Sequence, residues 1–221
     1  MYCFDCNTDT GDLSECCSIC GKPFDKDPDR HFKYGMEAMA AGDIDKAIIL
    51  FRECANLSPG HSSCRYNLGL ALSLTDKCDE AIKHYEAILC RDPNYPGIYT
   101  ALGQASFGSY LEHIAGAESS RKQMIEFLMR AVEQDPDDVD ALFSLGNVYI
   151  AVGNAETALP WLKSALRIQP NSPAIYFTIA KAFKMLKKKP EASVMARKSM
   201  QLSSPNDPFW EDIKRLVCEL Q

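Results

Sequence analysis

A small residue returns in this chain at a nearly fixed interval. Gly35, Gly69, Gly103 and Gly146 are separated by 34, 34 and 43 positions, and Ala180 follows another 34 on. An alanine trails each of them, at Ala47, Ala81, Ala158 and Ala192, with Met124 in that place in the third unit. A proline closes each unit, at Pro59, Pro93, Pro136 and Pro170, and Pro205 comes one place late in the fifth. Self-similarity at this period marks a chain of stacked supersecondary units. The stretches between are amphipathic at helical spacing, so each unit reads as two antiparallel helices. Small residues let the paired helices approach closely, while bulky neighbours such as Leu68, Tyr85 and Leu89 fill the space alongside. Proline ends the second helix, because it lacks an N–H donor and disfavours helix in the preceding residue.

The expected fold is therefore an all-α helical solenoid of five units, 28–61, 62–95, 96–138, 139–172 and 173–206. The third unit carries nine extra residues around 109–120, read as a lengthened first helix and a loop, with a helix start at Ser119 or Ser120. The fifth has Lys187 where a glycine is common. A last segment, "DPFWEDIKRLVCEL", predicts a helix over 207–220 capped by Asp207, with Phe209, Ile213, Leu216, Val217 and Leu220 along one face. It would cover the apolar end of the stack, as a solenoid requires.

The opening 26 residues differ in texture. "CFDCNTDTGDLSECCSIC" holds five of the ten cysteines. The first residues lack the basic start and apolar stretch of a secretory signal, and no apolar run is long enough to span a membrane. A cytoplasmic location with reduced thiols follows as the expectation. Cys3-x2-Cys6 and Cys17-x2-Cys20 each put two sulfurs on one tight turn, a spacing suited to one tetrahedral zinc ion with no open coordination place. The intervening residues predict a short hairpin, with Asn7 and Gly11 as turn residues. Asn7 and Gly21, each following a second cysteine, tolerate positive φ. Cys16 could replace Cys17, although only Cys17 keeps the x2 spacing. So short a segment cannot bury enough surface to fold alone, so the ion is expected to supply most of its stability. A chelator is then expected to unfold it and leave the rest intact.

"YNLGLALSLTDKCDEAIKHYEAILCRDPN" (66–94) and "FSLGNVYIAVGNAETALPWLKSALRIQPN" (143–171) resemble tetratricopeptide repeats, and "CSICGKPF" resembles the second knuckle of short zinc ribbons. The repeat resemblance implies a right-handed superhelix whose concave groove is lined by the first helix of each unit. Its fifth positions here are Phe32, Tyr66, Thr100, Phe143 and Phe177. The ninth are Met36, Leu70, Gln104, Asn147 and Lys181, and the twelfth are Met39, Ser73, Phe107, Ile150 and Lys184. A groove this aromatic and aliphatic suits an apolar peptide or helix. Each residue could equally pack against the neighbouring unit. Family members that clamp a chaperone's terminal carboxylate use Lys and Asn at the fifth and ninth positions, and only Asn147 fits that pattern.

Net charge is −6, distributed unevenly. The fifth unit holds seven basic residues against Glu191, which leaves −12 for the remainder. Its "KMLKKKP" could meet an acidic partner, a lipid surface as a peripheral contact, or the acidic N-terminal segment of another copy. A solvated end face explains it equally well. Residues 1–30 carry seven acids against three bases, a poor phosphate binder, so a nucleic-acid recruiter is the weaker alternative. No phosphate-cradling loop, nucleophile elbow or open metal site is present, so no enzyme is expected. His31, His61, His84 and His113 read as surface or inter-helix residues. Cys54, Cys64, Cys78, Cys90 and Cys218 read as small core residues. The reading is an adaptor with structural zinc. Bacterial scaffolds of similar size and five-unit organisation, including one that coats magnetosome membranes by oligomerising, are a specific alternative.

Overall fold

The computed structural model describes residues 2–9, 17–20, 24–112 and 118–220. They form two compact units, Met1–Ala115 and Gly116–Gln221. The first holds a two-stranded antiparallel hairpin, β1 (Tyr2–Cys3) and β2 (Thr8–Asp9). Five helices follow: α1 (Pro28–Ala40), α2 (Ile44–Leu57), α3 (Ser62–Ser73), α4 (Cys78–Leu89) and α5 (Ile98–Glu112). The second unit holds α6 (Glu118–Gln134), α7 (Val139–Ala151), α8 (Ala155–Ile168), α9 (Pro173–Met185), α10 (Lys189–Leu202) and α11 (Trp210–Glu219). Within each unit consecutive helices pack on one another, and alternate helices also touch, α3 with α5 and α7 with α9. The fold is the expected all-α solenoid of helix pairs.

Local chemistry sets the helix ends. Asp27, Asp43, Asp138 and Asn154 each accept a backbone N–H of the first turn of α1, α2, α7 and α8, satisfying donors that the helix cannot. The turn inside a repeat needs one residue of left-handed conformation. Gly42 and Gly153 supply it at φ 77° and 82°, and Asp76 and Lys187 adopt it at 57° and 59°. Lys187 thus takes the glycine's conformation without being a glycine.

The small-residue positions do what their period implies. A Cβ on Gly35 would stand 2.6 Å from the Phe51 ring, and Gly69 and Gly146 face Tyr85 and Leu162 equally tightly. In each pair the bulky residue lies 16 positions downstream. The fifth repeat solves the same contact differently. There Ala180 faces Ala196, both fully buried, so the glycine–ring pairing becomes two methyl groups. Small residues on both sides permit the same close approach there.

α5 is lengthened as expected, running to Glu112, and α6 starts at Glu118. Residues 113–117, with His113, lie outside those described. The two helices assigned to the third repeat fall in different compact units. α11 starts at Trp210 rather than at Asp207–Pro208. The Asp207 carboxylate instead accepts the Ser204 N–H, and its carbonyl accepts that of Trp210. Ile213, Leu216 and Leu220 are buried, the last two against Ala180, Ala192 and Ala196. Phe209, expected on that face, is 51% exposed because it precedes the helix.

The N-terminal hairpin is not free-standing. The Tyr2 N–H donates to Glu53 on α2. Phe4 packs against His31 and Tyr34 on α1 at 4.9 and 4.8 Å between ring centres, with the Arg30 guanidinium 4.8 Å from its own. Lys46 reaches over the Tyr2 ring and donates to Asn7 at 2.7 Å. Beneath this contact His31 is 1% exposed, with Nε2 on the Glu53 carboxylate at 3.0 Å and Nδ1 on the Asp27 carbonyl at 2.8 Å. Burial by itself favours the neutral ring, but Glu53, the Asp27 carbonyl and the nearby Asp25 outweigh it and raise the His31 pKa.

Two outcomes follow. Gly69→Ala should cost about 1–3 kcal/mol in a denaturant titration, since the buried Tyr85 ring must move, and retention of full stability would refute the close-approach account. For His31, a raised folded pKa means its stabilisation is complete below the ordinary value of about 6.5 and is lost as pH rises through the folded value. The urea midpoint should therefore decline as pH rises above about 6.5, and His31→Gln should flatten that decline. An unchanged slope in the variant would show that another group titrates.

Candidate metal centre and groove

Cys3 closes β1, Cys6 sits in the turn of the hairpin, and Cys17 and Cys20 come from the second knuckle. The described hairpin encloses the first cysteine pair, and the expected turn between the two pairs, with Gly11, Cys16 and Gly21, lies outside the described residues. Asn7 has φ 54°, the left-handed conformation expected after Cys6. Each of the four residues offers its sulfur within 4.8 Å of the other three. Cys3 and Cys20 sulfurs are 3.7 Å apart, and those of Cys6 and Cys17 are 3.9 Å apart. Sulfurs bound about 2.3 Å from one tetrahedral ion would be about 3.8 Å apart, so this donor set fits such an ion. Backbone N–H groups of Cys20 and Ile19 point at the Cys17 sulfur and lower its pKa to about 7, against the opposing effect of burial. The Cys6 thiol donates toward Cys20, which favours its protonated form and, with burial, pushes it up to about 12. Cys3 and Cys17 are buried among Phe24 and Cys6, while Cys20 is exposed.

The expected groove residues occupy one register on the first helix of each repeat. In the first unit Phe32 packs against Phe51 and His61 at 5.9 and 5.3 Å, and Tyr66 against Tyr85 and Tyr95 at 5.7 and 5.4 Å. Both wedge between their own second helix and the turn that leads into the next repeat, yet both stay half-buried. Leu70 is half-buried, Gln104 is exposed and Met36 is 43% exposed, whereas Thr100 is buried. In the second unit Phe143 and Phe177 are half-buried against the cores of their own repeats. Asn147 accepts from the Thr178 hydroxyl at 3.3 Å, and the Lys181 ammonium stands 5.5 Å from the Phe177 ring centre. A cavity of about 520 Å³ opens where α9 faces α11, between apolar Phe177, Met185 and Leu216 and the cations Lys181, Lys184 and Arg215. Lys184 is paired with Glu219, and Arg215 with Asp212 at 3.5 Å, so the fifth repeat is less free in its charge than its sequence implies.

The scattered cysteines divide in a way that spacing did not announce. Cys78 is a buried core residue as expected, but Cys90 and Cys218 are exposed at helix ends. Cys54 and Cys64 are fully buried yet not lone: they form a disulfide between α2 and α3, with Cα atoms 6.1 Å apart. A nitrogen of the His61 ring lies within 4.8 Å of both sulfurs. The available signal was positional, since one cysteine ends its helix and the other begins the next across a turn that must fold back.

Family models described as tetratricopeptide or TPR repeat match residues 32–106, 127–159 and 146–187. Anaphase-promoting complex subunit 3 of Schizosaccharomyces pombe is 25% identical over 166 residues, covering 74% of this chain and 24% of the relative. This chain thus spans about a quarter of that protein's length. Among solved structures, a thermophilic TPR protein of Thermus thermophilus superposes with a TM-score of 0.71 at 21% identity, covering 88% of this chain and 98% of the other. The MamA protein superposes at 0.63 and 21%, covering 79% and 91%. Identities this low carry the fold and nothing finer. With matching repeat models and the observed helix pairs, the chain is a member of the tetratricopeptide repeat family.

Proposed function

We propose that this chain is a non-enzymatic scaffold that holds an apolar peptide or helix of another protein on the first-helix face of its repeats. The observation that carries the reading is an aromatic at the same register in four of the five repeats, Phe32 and Tyr66 in the first unit and Phe143 and Phe177 in the second, each packed against its own unit yet only half-buried. Braced rings offer large apolar area at low entropy cost, which is what a docking surface needs. The cavity beside Phe177, with Lys181 at its rim, suits an acidic group at one end of such a ligand. That a relative is named as a subunit of a complex is in keeping with this role. End-to-end self-assembly has less support, because Asp25 and Asp27 are engaged in local hydrogen bonds at the start of α1 and Lys184 is paired within its own unit.

The four-cysteine centre we assign to one structural zinc ion, held by Cys3, Cys6, Cys17 and Cys20. The ion's role there would be to neutralise thiolates and close the fold, worth about 10–16 kcal/mol in small peptides. Because Tyr2 and Phe4 rest on α1 and α2, the effect of the ion extends beyond its own segment.

Protein purified under reducing conditions should carry one zinc per chain, and Cys17→Ser should lose it. Chelation should also lower the melting temperature of the helical signal, contrary to the expectation of an isolated ribbon; metal-free protein with an unaltered melt would overturn the assignment. For the groove, Phe143→Ala with Phe177→Ala should remove proteins that the wild type retains from native lysate, with helical content preserved. Identical retained sets would remove the groove from the function.

A further inference from the structure

The Cys54–Cys64 pair has no part in the metal centre or in the groove. It joins the last turn of α2 to the first turn of α3, and thus one repeat to the next. Cys64 is the third residue of α3, where the aligned peptide dipoles present partial positive charge and favour a thiolate. The cap of this helix is His61, where α1, α2 and α7 use aspartate, and there is no acid in the first turn of α3. His61 Nδ1 accepts the Cys64 N–H at 3.2 Å, which fixes the imidazole beside the sulfurs. Ala55 and Phe32 complete the enclosure, and Phe32 is the first aromatic of the groove row.

We propose that Cys54 and Cys64 are a reversible redox pair, a dithiol closed by a hydroperoxide and opened by a small thiol reductant, which staples the first repeat to the second behind Phe32. In the closing reaction the Cys64 sulfur attacks the distal oxygen of the hydroperoxide. The O–O bond breaks, an alcohol (water, for hydrogen peroxide) leaves with the thiol proton, and a sulfenic acid forms. The Cys54 sulfur then attacks the Cys64 sulfur, the S–O bond breaks, and water leaves with the Cys54 proton. Two thiols are oxidised and one peroxide is reduced. Opening returns two electrons and two protons from two reductant thiols, which become a disulfide. Both sulfurs are fully buried, so reagents reach them through opening of the turn at 58–61, and small reagents are favoured over protein ones. Opened, the pair no longer ties α2 to α3, and the support under Phe32 loosens.

The sequence supplies a direct readout. Arg52 and Arg65 flank both cysteines, so trypsin releases them in one peptide, "ECANLSPGHSSCR", separate from every cysteine of the metal centre. Native protein is treated with hydrogen peroxide or with dithiothreitol, and its free thiols are blocked with N-ethylmaleimide on denaturation before digestion. After peroxide the peptide should be two hydrogens lighter and unblocked. After dithiothreitol applied to the folded protein it should carry two blocking groups, and a graded reductant series should give a single midpoint. The oxidised form should melt about 5–10 °C above the reduced one, a difference absent from Cys54→Ser and Cys64→Ala. If those variants lose their helical signal, the peptide masses from the unsubstituted chain decide alone. Two blocked thiols after both treatments would overturn the proposal. So would a peptide that stays light after reductant acts on the folded chain. A second equivalent of zinc, lost in Cys54→Ser, would overturn it too by making the pair metal ligands.

Discussion

The close approach of the two helices within a repeat, described for the first, second, fourth and fifth, is the constraint on which the rest of this molecule depends. Where Gly35, Gly69 and Gly146 sit, no Cβ intervenes, and an aromatic ring or a leucine from the partner helix lies directly on the backbone. That contact fixes the separation and angle of the pair, and with them the direction in which the next repeat leaves. Ala180 and Ala196 meet the same requirement with two small residues in place of one bulky and one absent. What recurs is the close approach and not the side-chain volume, since two buried alanines fill less space than a glycine with a ring or a leucine.

Given that spacing, the aromatics at the fifth positions have a definite place. Phe32 and Tyr66 cannot enter the tight seam of their own pair, which is filled by Phe51 and Tyr85. They stack on its edge and lean toward the next repeat, at His61 and Tyr95. The choice between interface packing and an open groove is therefore not exclusive. Both rings stabilise the stack and both remain half-buried, which leaves part of each for the proposed docking role.

The N-terminal hairpin stands in the same relation to the first repeat as α11 does to the last. Each covers an end that would otherwise present apolar surface, one with Tyr2 and Phe4 on α1 and α2, the other with Leu216 and Leu220 on α9 and α10. The caps differ in what holds them. α11 is amphipathic and buries its own face, whereas a segment with two-residue strands has little surface to bury and converges on four sulfurs instead. The buried His31 ring, in contact with the Glu53 carboxylate, lies under the N-terminal cap, where Glu53 also takes the Tyr2 N–H.

Much of this was legible in the residues alone. Period, helix pairing, the lengthened helix before 113 and the cysteine quartet follow from spacing, because small residues, caps and tight turns act over a few positions. Spacing also ordered the groove register, since one helical face repeats with the unit. Other features needed the folded chain. The start of α11 moved past Asp207 because that side chain caps Ser204 instead. The hairpin formed around the first knuckle and lay down on α1 and α2 because Phe4 found Tyr34 and His31. Cys54 and Cys64 met because two helices fold back on one another, a relation that no local pattern encodes. Sequence by itself determined which units form and which faces are small, apolar or sulfur-bearing, because these depend on neighbours along the chain. Only the tertiary structure decided which of those faces meet, because contacts between distant residues are set by packing volume and not by position.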